Sequence, residues 1–379
     1  MQSEKQFASW LKRCKAAKSF TFDTETTGLD VFNDELVGVA LAVADEKTGE
    51  ISASYTPIAH SKKAMDGGRF RNVDKTAVIS GLKPLLEDDS KPTLLHNALF
   101  DMAVMEKVGV QIRNVWDSMF MSYSLSAASD IGGHNMDYLA KKYLRYNTIA
   151  YDDVVKPELG HANFSDVRCD HSCYYSAEDV AVTLMLGKVL QALLKREGLW
   201  SVYRDIDAPM LPALHRMKMN GVRVNTNKLA QLRAEFDDDL KDAERDIYKW
   251  AGREFKIGSP AQLAEVLYKD LKLPCWAKTK SGAPSTAKAV LEAMEGEHPV
   301  IDAILDYREL AKLIGTYCDT LPNFVHPKTQ RVHASTRTTV TRTGRLSMSD
   351  PSLHQIPTRA RKGKPLRGRQ IRDAFEATP

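Results

Sequence analysis

The sequence predicts an α/β domain, a mixed sheet with flanking helices, followed by a mostly helical domain and a short basic remainder. Three observations carry that fold class. Strand-like apolar runs joined by turn-rich segments fill residues 19–60 and then give way to strands followed by helices. An apolar stripe recurring at spacings of three and four runs from Leu229 to Trp250. Of 53 Lys and Arg, eleven lie between Arg331 and the C-terminus, against three acids there.

Three strands are expected first, at Ser19–Asp23, Val37–Ala44 and Ile51–Ile58, separated by turns containing Thr27-Gly28 and Asp45 to Gly49. A fourth apolar strand, Thr93–Leu95, precedes a helical stretch Leu99–Val108, and a long helical pattern covers Tyr175–Leu194. These elements make a first domain of residues 1–200. In the second, residues 201–330, Leu229, Leu232, Phe236, Leu240, Ala243, Ile247 and Trp250 define one helix face. Ser259-Pro260 supplies an N-cap and a first-turn proline for the next helix, Pro284-Ser285-Thr286 is another start signal, and a later helix runs over about Val300–Thr316. Residues 331–379, rich in Thr, Ser, Arg and Gly, read as short β pieces with a loop at Arg359–Gly368. Asp237-Asp238-Asp239 reads as the solvated face of its helix.

With 379 residues, 43% apolar and 27% charged, the chain can bury two or three cores, which excludes disorder as its main state. The longest clean apolar run, Val37–Ala44, falls far short of the roughly 18–20 residues a membrane span needs. The N-terminus, Met1 to Lys5, mixes charges and lacks an apolar core region, so a cytoplasmic location is expected. Five scattered cysteines fit reduced thiols rather than a disulfide framework. Cys169-Asp170-His171-Ser172-Cys173 has no second ligand pair at zinc-like spacing. The basic end on a body of net charge −4 points to a polyanion contacted by one region.

Three segments could carry chemistry. In Phe22-Asp23-Thr24-Glu25, strand alternation turns Asp23 and Glu25 to one side and Phe20 and Phe22 to the other. Two like charges at one strand end repel unless a cation lies between them, and hard divalent cations favour such oxygen ligands. In Leu95-His96-Asn97-Ala98-Leu99-Phe100-Asp101, a strand runs into a helix with Asp101 in its first turn. In Tyr175-Ser176-Ala177-Glu178-Asp179, an i, i+4 spacing places Tyr175 and Asp179 on one helix face and turns Glu178 away.

Taken in order, Asp-x-Glu, Asp and Tyr-x-x-x-Asp across about 200 residues resemble the site of 3′→5′ exonucleases with an RNase H-like fold. The resemblance implies two divalent ions, Mg²⁺ or Mn²⁺, that activate a water and stabilise the leaving oxygen of a phosphodiester. It implies that Asp23, Glu25 and Asp179 hold one ion, that Asp23 and Asp101 hold the other, and that Tyr175 orients the attacking water. It further implies that Leu29, Asn97 and Phe100 touch the terminal nucleotides of a frayed single strand, with Phe100 standing where tyrosine is usual.

Met217–Val224, Gly282–Thr286, Tyr307–Lys312, Thr343–Ser347 and Asp350–Pro357 resemble, in that order, the thumb and early palm of family A DNA polymerases of bacteria and phages. The resemblance covers nearly the whole chain. It implies that Arg345 reads the minor groove near the primer end and that Gln355 and Arg359 lie along primer and template. Arg337, Arg342, Arg345 and Arg359, interleaved with Ser and Thr, suit phosphate oxygens. Ser352 and His354 depart from the usual Asn and Gln.

Asp23 stands 22 residues from the start, leaving no room for a preceding 5′ nuclease domain, and the chain stops at Phe375–Pro379, ahead of the strand bearing the family's first polymerase aspartate. The expectation is a proofreading exonuclease acting on DNA 3′ ends, with no nucleotide addition of its own. A second chain would cover the open palm edge. Two other readings share these residues: an RNA-trimming exonuclease of the RNase D type, and a non-catalytic DNA-binding subunit of a split polymerase.

Overall fold

The computed structural model describes residues 3–126, 133–360 and 364–377. Its first unit, Met1–Met219 with Thr336–Ser347, is built on a five-stranded sheet. Strands β1 (Phe20–Thr26), β2 (Leu36–Ala44) and β3 (Ile51–Pro57) pair antiparallel, and β4 (Thr93–Leu95) and β5 (Val115–Asp117) add parallel strands on the other side of β1, giving the order β3-β2-β1-β4-β5. Parallel pairs need helical crossovers, and these are α2 (Lys75–Leu86), between β3 and β4, and α3 (Ala98–Lys107), between β4 and β5. A helix α1 (Glu4–Ala16) precedes β1, and α4 (Ser118–Ser126) follows β5 directly.

β1 extends three residues beyond the expected Asp23. Its ladder with β2 pairs Asp23 with Ala40 and Glu25 with Gly38, and shifts only between Glu25 and Thr26. The two acids therefore sit within a paired strand, where backbone bonds on β2 fix their direction. Phe20 and Phe22 are fully buried on the opposite side. Gly38 is needed because a Cβ there would stand 2.0 Å from the hydroxyl of buried Tyr55.

The long helix Cys169–Arg196 packs across β3, β2 and β1. Gly187 permits that approach, since a Cβ there would meet Leu94 Cδ2 at 2.3 Å. The helix is sandwiched between the sheet and α4, and Val180, Val182, Leu184, Leu186, Leu190 and Leu194 bury in the first unit's core.

The second unit comprises Asn220–Ser335 with Met348–Pro379. Helix Thr226–Ala251 is capped by Asn225, whose side chain accepts from the Lys228 amide at 2.9 Å. Its stripe divides between two cores: Leu229, Leu232 and Phe236 pack with Leu310, Tyr317, Ile356 and Ile371, and Ile247 packs with Leu263, Leu267, Val300 and Ile304. Trp250, the last member of the expected stripe, is 41% exposed, and the helix ends one residue later at Ala251, with Gly252 beyond it in a left-handed conformation.

These units follow other boundaries than 200 and 330. Helix Ala208–Asn220 belongs to the first because Ala208 and Leu211 complete its core and His215 pairs with Glu106 of α3 at 2.5 Å. Thr336–Ser347 joins it as well, where the Tyr123 hydroxyl donates to the Thr341 carbonyl at 2.8 Å. The remaining C-terminal residues add Ile356, Ile371 and Ala374 to the second unit's core. Arg367, expected in a loop, opens the helix Arg367–Arg372, is 7% exposed and pairs with Asp239 at 3.0 Å. Asp239 is thus no idle member of a solvated face. Residues 361–363 of the expected basic loop lie outside the described residues. Among the described residues no helix is long and apolar enough to cross a membrane.

Candidate active site

Asp23 and Glu25, two residues apart on β1, face the helix Cys169–Arg196, and Asp179 on that helix faces back. One ligand oxygen from each of the three lies within 4.8 Å of the others. Tyr175, one turn before Asp179, is held from behind by aromatic rings, with Phe164 at 5.8 Å and Tyr151 at 6.3 Å between centroids. Glu178 points elsewhere, as i, i+4 geometry requires, and accepts from the Tyr146 hydroxyl at 2.5 Å and the Ile149 amide at 2.6 Å.

Asp101 stands outside the triplet. Its Oδ1 accepts from both the amide and the hydroxyl of Thr24, at 3.0 and 2.6 Å, and it is buried. It remains near enough to Asp23 to disfavour a second negative charge there. The helix that carries it starts abruptly: Asn97 takes a left-handed conformation (φ 64°, ψ 49°) between β4 and α3. Asp117, at the end of β5, accepts from the amides of Asn97 (3.2 Å) and Ala98 (2.9 Å), and also from Met119 (2.8 Å) and Phe120 (3.3 Å) in α4. One buried carboxylate thus caps two helices. His96 bonds Ser118 Oγ through Nδ1 at 2.8 Å, and Ser118 donates to the Leu95 carbonyl at 3.1 Å, tying β4 to α4.

Leu29 is presented by a loop closed on Asp34, whose oxygens accept from Thr27 Oγ1 at 2.9 Å and the Asp30 amide at 2.7 Å. It is 87% exposed, an unusual place for a leucine. Asn97 is exposed and Phe100 half-buried. Arg345, Gln355 and Arg359 are exposed and take no part in the carboxylate triplet. Arg359 lines a cavity of about 360 Å³ in the second unit together with Lys288, Arg308 and Lys312.

Loss of water and mutual repulsion hold all four carboxyls above their ordinary range. Burial, then Asp23, lifts Asp179 to about 8, and burial lifts Asp101 to about 7. Asp23 is raised by burial and by Asp101, Glu25 by burial and by Asp23, and Ser176 offsets part of the latter by donating to Glu25 Oε1 at 2.6 Å. Tyr175 is pushed upward by burial and Asp179, so its phenol keeps its proton. Such a constellation is costly alone and is relieved by positive charge. Converging carboxylates are the donor set that suits Mg²⁺ or Mn²⁺.

Sequence reasoning brought Asp23, Glu25, Tyr175 and Asp179 to one place and missed Thr24, Asp117 and Ser176. A strand-end aspartate followed by serine and a helical run was a readable capping signal for Asp117. The Ser176 and Thr24 contacts cross 151 and 77 residues, and no local pattern announces them.

This sheet with its carboxylate site is that of a nuclease domain: residues 1–195 match the family of 3′-5′ exonucleases. Residues 226–379 match DNA polymerase family A, and the chain belongs to that family, with the 3′-5′ exonuclease domain at its N-terminal side. It is 39% identical to a DNA polymerase I of Rhizobium leguminosarum, over 98% of this chain and 37% of that protein. A DNA polymerase I of Pseudomonas aeruginosa is also 39% identical, over 98% of this chain and 39% of its own length. The chain therefore spans under two-fifths of these curated relatives. Among solved structures, the POL domain of Pol1 from M. smegmatis, in complex with DNA primer-template and dNTP, matches with a TM-score of 0.78 at 25% identity, over 98% of this chain and 57% of that one. None of these comparisons supports the second chain expected from the sequence.

Proposed function

We propose that the chain removes nucleotides from DNA 3′ ends by metal-dependent phosphodiester hydrolysis, as the proofreading portion of a DNA polymerase. The observation that carries this reading is the convergence of Asp23, Glu25 and Asp179, carboxyls held above their ordinary range by burial and by one another. Asp23, Glu25 and Asp179 would hold one divalent ion, and Asp23 with Asp101 a second. Bound there, two such ions supply a nucleophile at neutral pH and neutralise the leaving oxygen.

The protein's own side chains do the rest. Tyr175, backed by the stacked rings of Phe164 and Tyr151, directs its hydroxyl at the attacking water. Leu29 and Phe100 offer apolar surface to the terminal bases, and Asn97 a polar contact. Arg345, Gln355 and Arg359 bind primer-template through phosphate and groove contacts. The family A match over residues 226–379 favours DNA over RNA ends, and a triplet of repelling acids argues against a nuclease fold kept only as scaffold.

The test is shortening of a 3′-unpaired primer with Mg²⁺ or EDTA, alongside an RNA strand of the same sequence. Shortening should need Mg²⁺, prefer DNA and disappear in Asp23→Ala and in Asp179→Ala. Equal activity in both variants would overturn the reading.

A further inference from the structure

We propose that Ser176 is a positioning residue that holds Glu25 as a one-oxygen ligand for a divalent cation. This inference rests on the metal-dependent reading above and deepens it.

Ser176 is fully buried in the long helix, next to Tyr175, and its hydroxyl donates to Glu25 Oε1 at 2.6 Å. A serine inside a helix ordinarily bonds a carbonyl about one turn back, and Ser172 in the same helix turns back in this way, toward the Val167 carbonyl at 3.3 Å and the Arg168 carbonyl at 3.4 Å. Ser176 instead spends its only proton across the gap to β1. Glu25 is buried too, and among the described residues Oε1 is the oxygen engaged by a protein donor. The bond leaves Oε2 free for a cation and fixes the rotamer that presents it.

Asp101 repeats the arrangement from another element, with Oδ1 taken twice by Thr24. A carboxylate with one oxygen bonded to a protein donor presents the other oxygen first, so a one-oxygen contact is favoured over a two-oxygen clasp. A cation that takes single oxygens from several residues fits this arrangement, which suits the small octahedral Mg²⁺ better than Ca²⁺, with its frequent bidentate carboxylates. Partners that orient a metal ligand typically account for 10–100-fold in metal affinity.

The experiment is a Mn²⁺ titration of the full chain by calorimetry, without DNA, for wild type, Ser176→Ala, Ser176→Thr, Glu25→Gln, the double variant Glu25→Gln/Ser176→Ala, and Asp23→Ala. Ser176→Ala should weaken Mn²⁺ binding about 10–100-fold, and Ser176→Thr, which keeps the donor, should bind nearly as wild type. In the Glu25→Gln background, Ser176→Ala should cost nothing further, since the effect runs through Glu25. Wild-type affinity in Ser176→Ala, an equal loss in Ser176→Thr, or an undiminished loss in the Glu25→Gln background would each overturn the role of Ser176 while the site stood. Wild-type affinity in Asp23→Ala would instead remove the metal site itself, and this inference with it.

Discussion

Asp101 and Thr24 are joined twice through one oxygen: Asp101 Oδ1 accepts the Thr24 amide at 3.0 Å and its hydroxyl at 2.6 Å. Thr24 lies between Asp23 and Glu25, so the strand that supplies two acids also fixes the third, which comes from α3. A buried bond to a carboxylate is worth about 1.5–3 kcal/mol. Thr24→Val keeps the shape and the amide and removes the hydroxyl.

That variant should lose about 1–3 kcal/mol of stability and about tenfold in exonuclease rate, as Asp101 shifts by one missing restraint. Thr24→Ser should behave nearly as wild type. Calorimetry and primer shortening measure both. Equal behaviour of the Val and Ser variants would show that the hydroxyl does not matter.

Asp179 gives the pH dependence. Its carboxyl titrates at about 8 in the fold and near 3.9 when unfolded. Between those values the folded state binds more protons than the unfolded one, so the metal-free protein loses stability as pH rises from about 4 to about 8. Asp179→Asn cannot ionise. It should melt higher than wild type at pH 8 and about the same at pH 4, with each kcal/mol worth about 2–4 °C in a unit of this size. Adding Mg²⁺ at pH 8 should raise wild type and leave the variant nearly unmoved. A variant melting lower than wild type at pH 8 would mean the charge is compensated without a cation.

Asp117 sets where the site's second helix begins. Four amides, those of Asn97 and Ala98 at the start of α3 and of Met119 and Phe120 in α4, point at its carboxylate, and loss of one cap costs about 1 kcal/mol. Asp117→Ala should therefore lose about 2–4 kcal/mol, and Asp117→Asn less, because it keeps one oxygen. Hydrogen exchange should speed up at residues 97–101 and 118–122 together. Faster exchange in only one of the two segments would show that the shared cap is not shared in solution.

How far the sequence could be read depended on the range of the cause. The i, i+4 spacing of Tyr175 and Asp179, the alternation at Asp23 and Glu25 and the stripe from Leu229 to Ile247 are local periodicities, and each appears in the fold. α2, unassigned from the sequence, carries Gly81 and Pro84 within it, both unfavourable inside a helix. There Gly81 is required, since a Cβ would stand 2.6 Å from Leu11 of α1. α1 carries a local signal, Phe7, Leu11 and Cys14 at helical spacing behind the N-cap Ser3, set among charged residues that mask its apolar stripe. The role of Arg367 was illegible for a different reason: in sequence it is one cation of a basic run, and only packing reveals which member is buried.

Arg367 and its acids differ in what each can afford to lose. The guanidinium is 9% exposed at its side chain, bonded to Asp239 at 3.0 Å and 3.8 Å from Asp306, and Lys364 reaches the same Asp306 at 2.5 Å. Asp239 is half exposed, so water screens its charge when the partner goes. Asp306 is only 13% exposed and faces both cations. Removing it leaves the buried Arg367 guanidinium with Asp239 alone and takes the acid from Lys364, a loss of about 3 kcal/mol for charged groups left short of a partner away from water. Arg367→Met keeps an apolar stem in the same space and leaves Asp306 with Lys364, a loss of about 1 kcal/mol. Urea unfolding followed by Trp fluorescence should therefore rank Asp306→Ala well below Arg367→Met, with Asp239→Asn nearest wild type. If Arg367→Met were the weakest of the three, the buried guanidinium rather than the acid would be the centre of the network.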